Sequence, residues 1–286
     1  MIATGLLATG LLATGLLEGE YLKALVGAAI IGVVAPVVGT WIVLRRMANL
    51  GDTMSHGTLA GVGIAYAAGA NILLGALGAG VVIAVLLILF SASQKLGHEA
   101  IIAVMGSALF ALGIIIISRI DTRLELEHIL FGDVLQLTWS QIGFNVVIGG
   151  LAVAVVLLLF SELRLASFDH VQAEQVGVHV ELVQAVLVVL LAVVVVISLR
   201  TVGSIMSVSM LVTPAATARL VSPTLRRMTI VGVGLGVSEG LTGVVFGRAL
   251  NAPPGATIGL LAAVVFAIAY TMTLPRRMPH HHRPFA

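Results

Sequence analysis

No charged side chain occurs between residues 69 and 91, nor between 182 and 199. Runs of this kind constrain the fold more than any other feature. A helix needs roughly 20 mostly apolar residues to cross the hydrocarbon core of a bilayer. Backbone exposed to lipid must satisfy its own hydrogen bonds, which leaves helices or closed barrels. Barrel strands would alternate polar and apolar residues, and these runs do not alternate. The expected fold class is therefore all-α, a polytopic transmembrane helix bundle embedded in lipid. Composition agrees. The chain is 59% hydrophobic and 10% charged, whereas a soluble domain carries about a quarter charged residues and needs them to cover its surface.

Similar runs fall at 22–44, 53–70, 72–92, 100–118, 141–161, 182–199, 203–221, 228–247 and 256–274, so about eight to ten spans are expected. Three regions follow. Residues 1–21 hold a pentad, Ala-Thr-Gly-Leu-Leu, repeated three times over 3–17, which has neither a helical period nor the form of a signal peptide. Residues 22–275 form the transmembrane core, and 276–286 form a basic, histidine-containing tail. If the C-terminus is cytoplasmic, Arg45, Arg46, Lys95, Arg164, Arg219, Arg226, Arg227, Arg276, Arg277 and Arg283 lie inside. Lys23, Arg119, Arg123, Arg200 and Arg248 then lie outside. The inner set is the larger, as the positive-inside bias requires.

Several classes of function are excluded by what is missing. There are no cysteines, hence no disulfide, thiol redox chemistry or thiolate-bound zinc. No phosphate-binding Gly-x-x-x-x-Gly-Lys-Ser/Thr loop is present, so any ATP must be bound by another chain. A His-Glu-x-x-His helix is also absent, and nothing pairs a nucleophile with a base as an intramembrane enzyme would need. The net charge of +2 comes with loop arginines and forms no nucleic-acid patch.

Ionisable residues within a span are costly unless they face a cavity or a partner, and three stand out. Glu239 lies mid-span in 228–247, with Gly232, Gly236 and Gly243 spaced to share its helical face. Small residues at that spacing mark a face where another helix packs closely, so the carboxyl group points into the bundle. Asp52 and His56 are four apart at the start of 53–70 and share a face. A carboxylate and an imidazole together are ligands for a divalent transition metal. The bland alternative makes Asp52 a helix N-cap and His56 a buried histidine. Similar estimated depths allow all three residues to form one carboxylate–imidazole–carboxylate set suited to Mn²⁺, Fe²⁺ or Zn²⁺ as a transported ion, with no permanently bound cofactor. Pro214 should kink the span 203–221. His128 with Glu125 and Glu127, His170, His179 and the His280–His282 tail are weaker candidates, better read as solvated loop or tail residues.

The inner loop 162–181 alternates Phe168, Val171, Ala173 and Val176 with Asp169, Gln172, Glu174 and Gln175. This suits a short amphipathic helix against a membrane surface or a partner, capped by Ser167 or Asp169 and ended by Gly177.

The stretch Val43-Leu-Arg-Arg-Met-Ala-Asn-Leu-Gly-Asp-Thr-Met-Ser-His56 resembles the signature of the manganese/zinc/iron permeases of bacterial ABC importers. Leu130-Phe-Gly132, Ser167-Phe-Asp169 leading to Val176-Gly177, and Leu211-Val-Thr-Pro-Ala-Ala216 extend the resemblance over about residues 22–275. It implies a multi-pass subunit of the bacterial cytoplasmic membrane, not itself an enzyme. It also implies a cytoplasmic ATP-binding cassette ATPase, an extracellular metal-binding lipoprotein and a second permease copy, most simply as a homodimer. Phe168, Asp169, Val176 and Gly177 would then belong to the coupling element gripped by the ATPase, and Asp52 and His56 match the intramembrane metal residues. Two rivals are a proton-coupled secondary cation transporter working through Glu239, and an ABC permease for a metal chelate of the cobalamin or siderophore type.

Overall fold

The computed structural model describes residues 19–91, 98–119 and 134–273. The pentad repeat, the acidic outer loop with Glu125, Glu127 and His128, the Leu130–Gly132 motif and the histidine tail lie outside the described residues. Within them every element is helical. In chain order these are α1 (Gly19–Leu44), α2 (Ala48–Ala67), α3 (Ile72–Ser91), α4 (His98–Arg119), a 3₁₀ turn (Val134–Gln136), α5 (Trp139–Leu158), α6 (Phe160–Phe168), α7 (His170–Gln175), α8 (Val180–Val202), α9 (Ser204–Val221), α10 (Leu225–Ala249) and α11 (Pro254–Thr273). Each apolar stretch read from the sequence coincides with one long helix.

Six of these helices are long and apolar enough to cross a membrane, namely α1, α4, α5, α8, α10 and α11. Parts of α3 and α9 are apolar but shorter. The expected eight to ten is therefore not reached by length and apolarity alone. In α2 the reason is visible in its residues, since Asn49, Asp52, Thr53, Ser55, His56 and Thr58 crowd its first half.

Packing centres on α1. It touches α10, α9, α5 and α8, and its buried residues run almost without a break from Ile31 to Ile42. Water cannot drive helices together inside lipid, so close backbone contact has to do it. At the α1–α10 crossing a Cβ on Gly32 would sit 2.6 Å from the Gly236 carbonyl oxygen, and one on Gly236 would sit 2.5 Å from the Gly32 oxygen. Only glycine on both sides permits this approach. Gly61 of α2 and Gly75 of α3 repeat the device, each backed against the other's carbonyl. Pro36 lies inside α1, one turn beyond Gly32, and having no N–H it cannot bond the Gly32 carbonyl. Thr40 donates from Oγ1 to the Pro36 carbonyl at 2.8 Å. Pro214 likewise sits inside an uninterrupted α9.

Short connections fix neighbouring helices. After α1 the chain turns through Arg46 at φ 58°, where the Met47 N–H donates to the Ile42 carbonyl at 2.9 Å and the Arg46 N–H to that of Val43. This is a Schellman closure with arginine at the left-handed position. Because the turn is so tight, α2 starts at Ala48 rather than near residue 53. Asp52 consequently lies one turn inside α2 and cannot be its N-cap, which is Met47 without a capping side chain. Between α5 and α8 the expected amphipathic helix is two pieces, α6 and α7. Asp169 is the residue that caps α7, accepting from the Gln172 N–H at 2.9 Å. Ser167 instead donates to the Leu163 carbonyl. Gly177, at φ 83°, ends α7. Ala173 is buried while Phe168, Val171 and Val176 are exposed.

The glycine crossing predicts a paired outcome. Gly236→Ala should lower the unfolding temperature of the detergent-solubilised chain, at a cost of about 1–3 kcal/mol for overpacking. Gly234→Ala has nothing within 4 Å of the new methyl, and should hold or raise it by about 0.5–1 kcal/mol through helix propensity. Thermal unfolding scans of both variants check the contrast.

Candidate metal-transfer site

Asp52 and His56 project from the second and third turns of α2, and their side chains meet. Asp52 Oδ2 and His56 Nε2 are 3.3 Å apart. An ion placed at about 2.1–2.2 Å from both atoms would subtend an angle of about 100°, within the range of tetrahedral or octahedral coordination. The pair is open on one side, with the Asp52 side chain 63% exposed and that of His56 27%. The imidazole rests against Phe110 of α4, ring centroids 4.6 Å apart, which fixes its plane. One turn toward the start of α2, Thr53 donates to the Ile102 carbonyl of α4 at 3.0 Å, and a Cβ on Gly106 would approach Thr53 Oγ1 to 2.8 Å. Helix α4 is thus the wall behind the pair. His56 Nδ1 is buried and has no hydrogen-bond partner among the described residues. Tightly held metals usually rest on a histidine whose other nitrogen is anchored; here no described residue supplies that anchor.

Glu239 is 2% exposed. It belongs to one buried stripe of α10 with Gly232, Gly236, Gly240 and Gly243. The stripe faces α1 and α11. A Cβ on Gly240 would lie 3.0 Å from the Ala28 carbonyl oxygen, and one on Gly243 would press into Ile258. Both carboxyl oxygens of Glu239 are buried without a partner among the described residues. The carboxyl group thus sits deep in the bundle with its hydrogen-bonding capacity unused, which is costly.

Among the described residues no three His, Asp or Glu side chains gather within reach of one ion. The structure brings Asp52 and His56 together, and among the described residues Glu239 does not join them in a group of three. Their helices have different principal neighbours, α4 and α3 for α2 but α1 and α11 for α10. The sequence reading did not single out Pro36, Gly32 or Arg45. Pro36 was visible as a proline within an apolar run, and Arg45 only as part of a motif.

Residues 20–273 match the ABC 3 transport family. The chain belongs to that family. It is 37% identical over 248 residues to the manganese transport system membrane protein MntC of Listeria monocytogenes, covering 87% of this chain and 89% of that protein. It is 35% identical over 259 residues to the manganese import system permease protein ScaB of Streptococcus parasanguinis, covering 91% and 92%. The fold superposes on a chain of PsaBC from Streptococcus pneumoniae in complex with Fab with a TM-score of 0.83 at 31% identity, covering 94% and 95%. With six helices able to cross a bilayer, this member of the ABC 3 family is a multi-pass membrane protein.

The unpartnered carboxyl group gives a stability prediction. Glu239→Leu removes two buried, unsatisfied oxygens and should stabilise the detergent-solubilised chain, by about 1–3 kcal/mol. Glu239→Gln, which keeps buried polar atoms, should not. A thermal scan in which leucine unfolds earlier than the parent would contradict this account of the site.

Proposed function

We propose that this chain is the permease subunit of an ATP-driven importer of a divalent transition metal ion, Mn²⁺, Zn²⁺ or Fe²⁺, in the bacterial cytoplasmic membrane. The observation that carries the reading is the Asp52–His56 pair, one carboxylate oxygen and one imidazole nitrogen at chelating distance, held on α2 of an ABC 3 family chain. Oxygen and nitrogen donors without sulfur suit these ions. A transfer site must also release what it binds. Two protein ligands, one of them with no anchor for its second nitrogen among the described residues, favour brief occupancy over storage.

The ion is substrate here. It enters from an extracellular metal-binding lipoprotein, pauses between Asp52 and His56, and passes Glu239 as a separate oxygen station inside the bundle. Nine helices span the membrane in this reading, α2, α3 and α9 being carried by their neighbours. A polar helix such as α2 is tolerated where it lines the path and packs against α4 through Thr53 and Gly106. ATP is hydrolysed on a separate cytoplasmic chain, which docks on the segment that includes Phe168, Asp169, Val176 and Gly177. The exposed Phe168, Val171 and Val176 and the capped α7 support that role. Two permease copies complete the assembly as a homodimer.

The test is uptake of Mn²⁺, Zn²⁺ and Fe²⁺ by vesicles holding the permease, its ATPase and its lipoprotein. Asp52→Ala and His56→Ala should each reduce uptake by roughly 10–100-fold or more, the range for weakening a metal site. Glu239→Ala should also slow uptake. Uptake that proceeds without nucleotide, or that survives the loss of both Asp52 and His56, would overturn the proposal.

A further inference from the structure

Arg45 sits in the motif beside the metal pair but has no part in holding the ion. Its backbone closes α1, donating to the Trp41 carbonyl at 3.0 Å. Its side chain crosses to a distant part of the chain, where Nε–H donates to Ser167 Oγ at 3.0 Å. The polarity of that bond is fixed, because the Ser167 hydroxyl proton is committed to the Leu163 carbonyl at 2.5 Å and the oxygen can only accept. Two residues after Ser167, Asp169 caps α7. The other end of α6 meets α1 as well, through Trp41 edge-on to Phe160 with centroids 5.4 Å apart. Helix α6 is therefore fastened at one end to the last turn of α1 and at the other to Arg45, the residue that follows it. Beyond Arg45 the chain makes its closed turn at Arg46 and Met47 and becomes α2, so Asp52 is only seven residues away. A second arginine, Arg219 of α9, donates from Nη1 to the Val43 carbonyl at 2.9 Å and steadies the same turn.

We propose that Arg45 is a positioning residue for transport, coupling the ATPase-facing segment to the helix that carries the metal pair through its hydrogen bond to Ser167. The inference rests on the proposed docking of an ATPase at Phe168–Gly177. Movement of α6 and α7 pulls on Ser167, Arg45 passes the displacement to the α1–α2 turn, and α2 reorients Asp52 and His56. A merely structural fastening would be made more cheaply by apolar side chains than by a partly buried guanidinium. Arg45 Nη2 is buried and has no partner among the described residues. Burial pulls its pKa below the ordinary value, though arginine stays charged. The spare donor gives the side chain a second bond to make when α6 shifts.

The experiment uses the complete transporter in vesicles, with Mn²⁺ uptake and ATP hydrolysis measured in the same sample. Ser167→Ala and Arg45→Lys should each lower the Mn²⁺ moved per ATP hydrolysed by about tenfold, as loss of one hydrogen bond to a charged group allows. Lysine keeps the charge but not the guanidinium geometry. Hydrolysis, unfolding temperature and Mn²⁺ affinity should stay near the parent's. Ser167→Thr, which keeps the hydroxyl, should restore the ratio, and the double variant should be no worse than either single one. A parental ratio in Ser167→Ala, additive losses in the double variant, or a loss that follows unfolding temperature alone would overturn the inference while leaving the importer reading intact. Absence of ATP-dependent uptake of Mn²⁺, Zn²⁺ and Fe²⁺ alike by the parent would instead overturn the importer reading, and this inference with it.

Discussion

The approach of two backbones at Gly32 and Gly236 sets the geometry of the bundle. Lipid is as apolar as leucine, so helices in a membrane gain little by hiding apolar side chains from it. They gain by touching closely enough for dispersion to act along their length, and only residues without a Cβ allow that. Once α1 and α10 are in contact at this point, the stripe bearing Glu239 faces inward. The Gly61–Gly75 contact does the same for α2 and α3. The placement of polar groups follows from where the glycines are.

Polar groups are then handled in two different ways. Along α2, Thr53 and Thr58 give their hydroxyl protons to backbone carbonyls, which is how a membrane bundle normally neutralises such side chains. His56 Nδ1 and both oxygens of Glu239 have no partners among the described residues. His56 and Glu239 are residues that chemistry suits to a cation, although the Ser55 and Ser198 hydroxyls are equally unpartnered among the described residues. Functional sites commonly carry such a stability cost, because a group already satisfied by the protein has little to offer a passing ion.

Much of this was legible in the sequence. Apolar runs gave the helices, and the spacing of Gly232, Gly236 and Gly243 gave the buried face of Glu239, because both depend only on local periodicity. The start of α2 was misplaced by five residues, since a Schellman turn with arginine in the left-handed position leaves no glycine to announce it. That shift moves Asp52 off the helix cap and changes the depth of His56. Whether Glu239 joins the α2 pair was not legible at all, because that depends on which helices cross and at what level. For the segment before α8 the pattern offered both Ser167 and Asp169 as caps. Only the three-dimensional arrangement shows that Asp169 takes the role while Ser167 serves Arg45.

One consequence of Pro36 concerns mechanics. The missing N–H removes a rung from the hydrogen-bond ladder of α1 at Gly32, where a helix bends most readily. Gly236 presses on the same carbonyl. The softest point of the central rod thus coincides with its tightest clamp. Flexing α1 there requires α10 to yield, so the two helices must tilt together, and Glu239 travels with the joint.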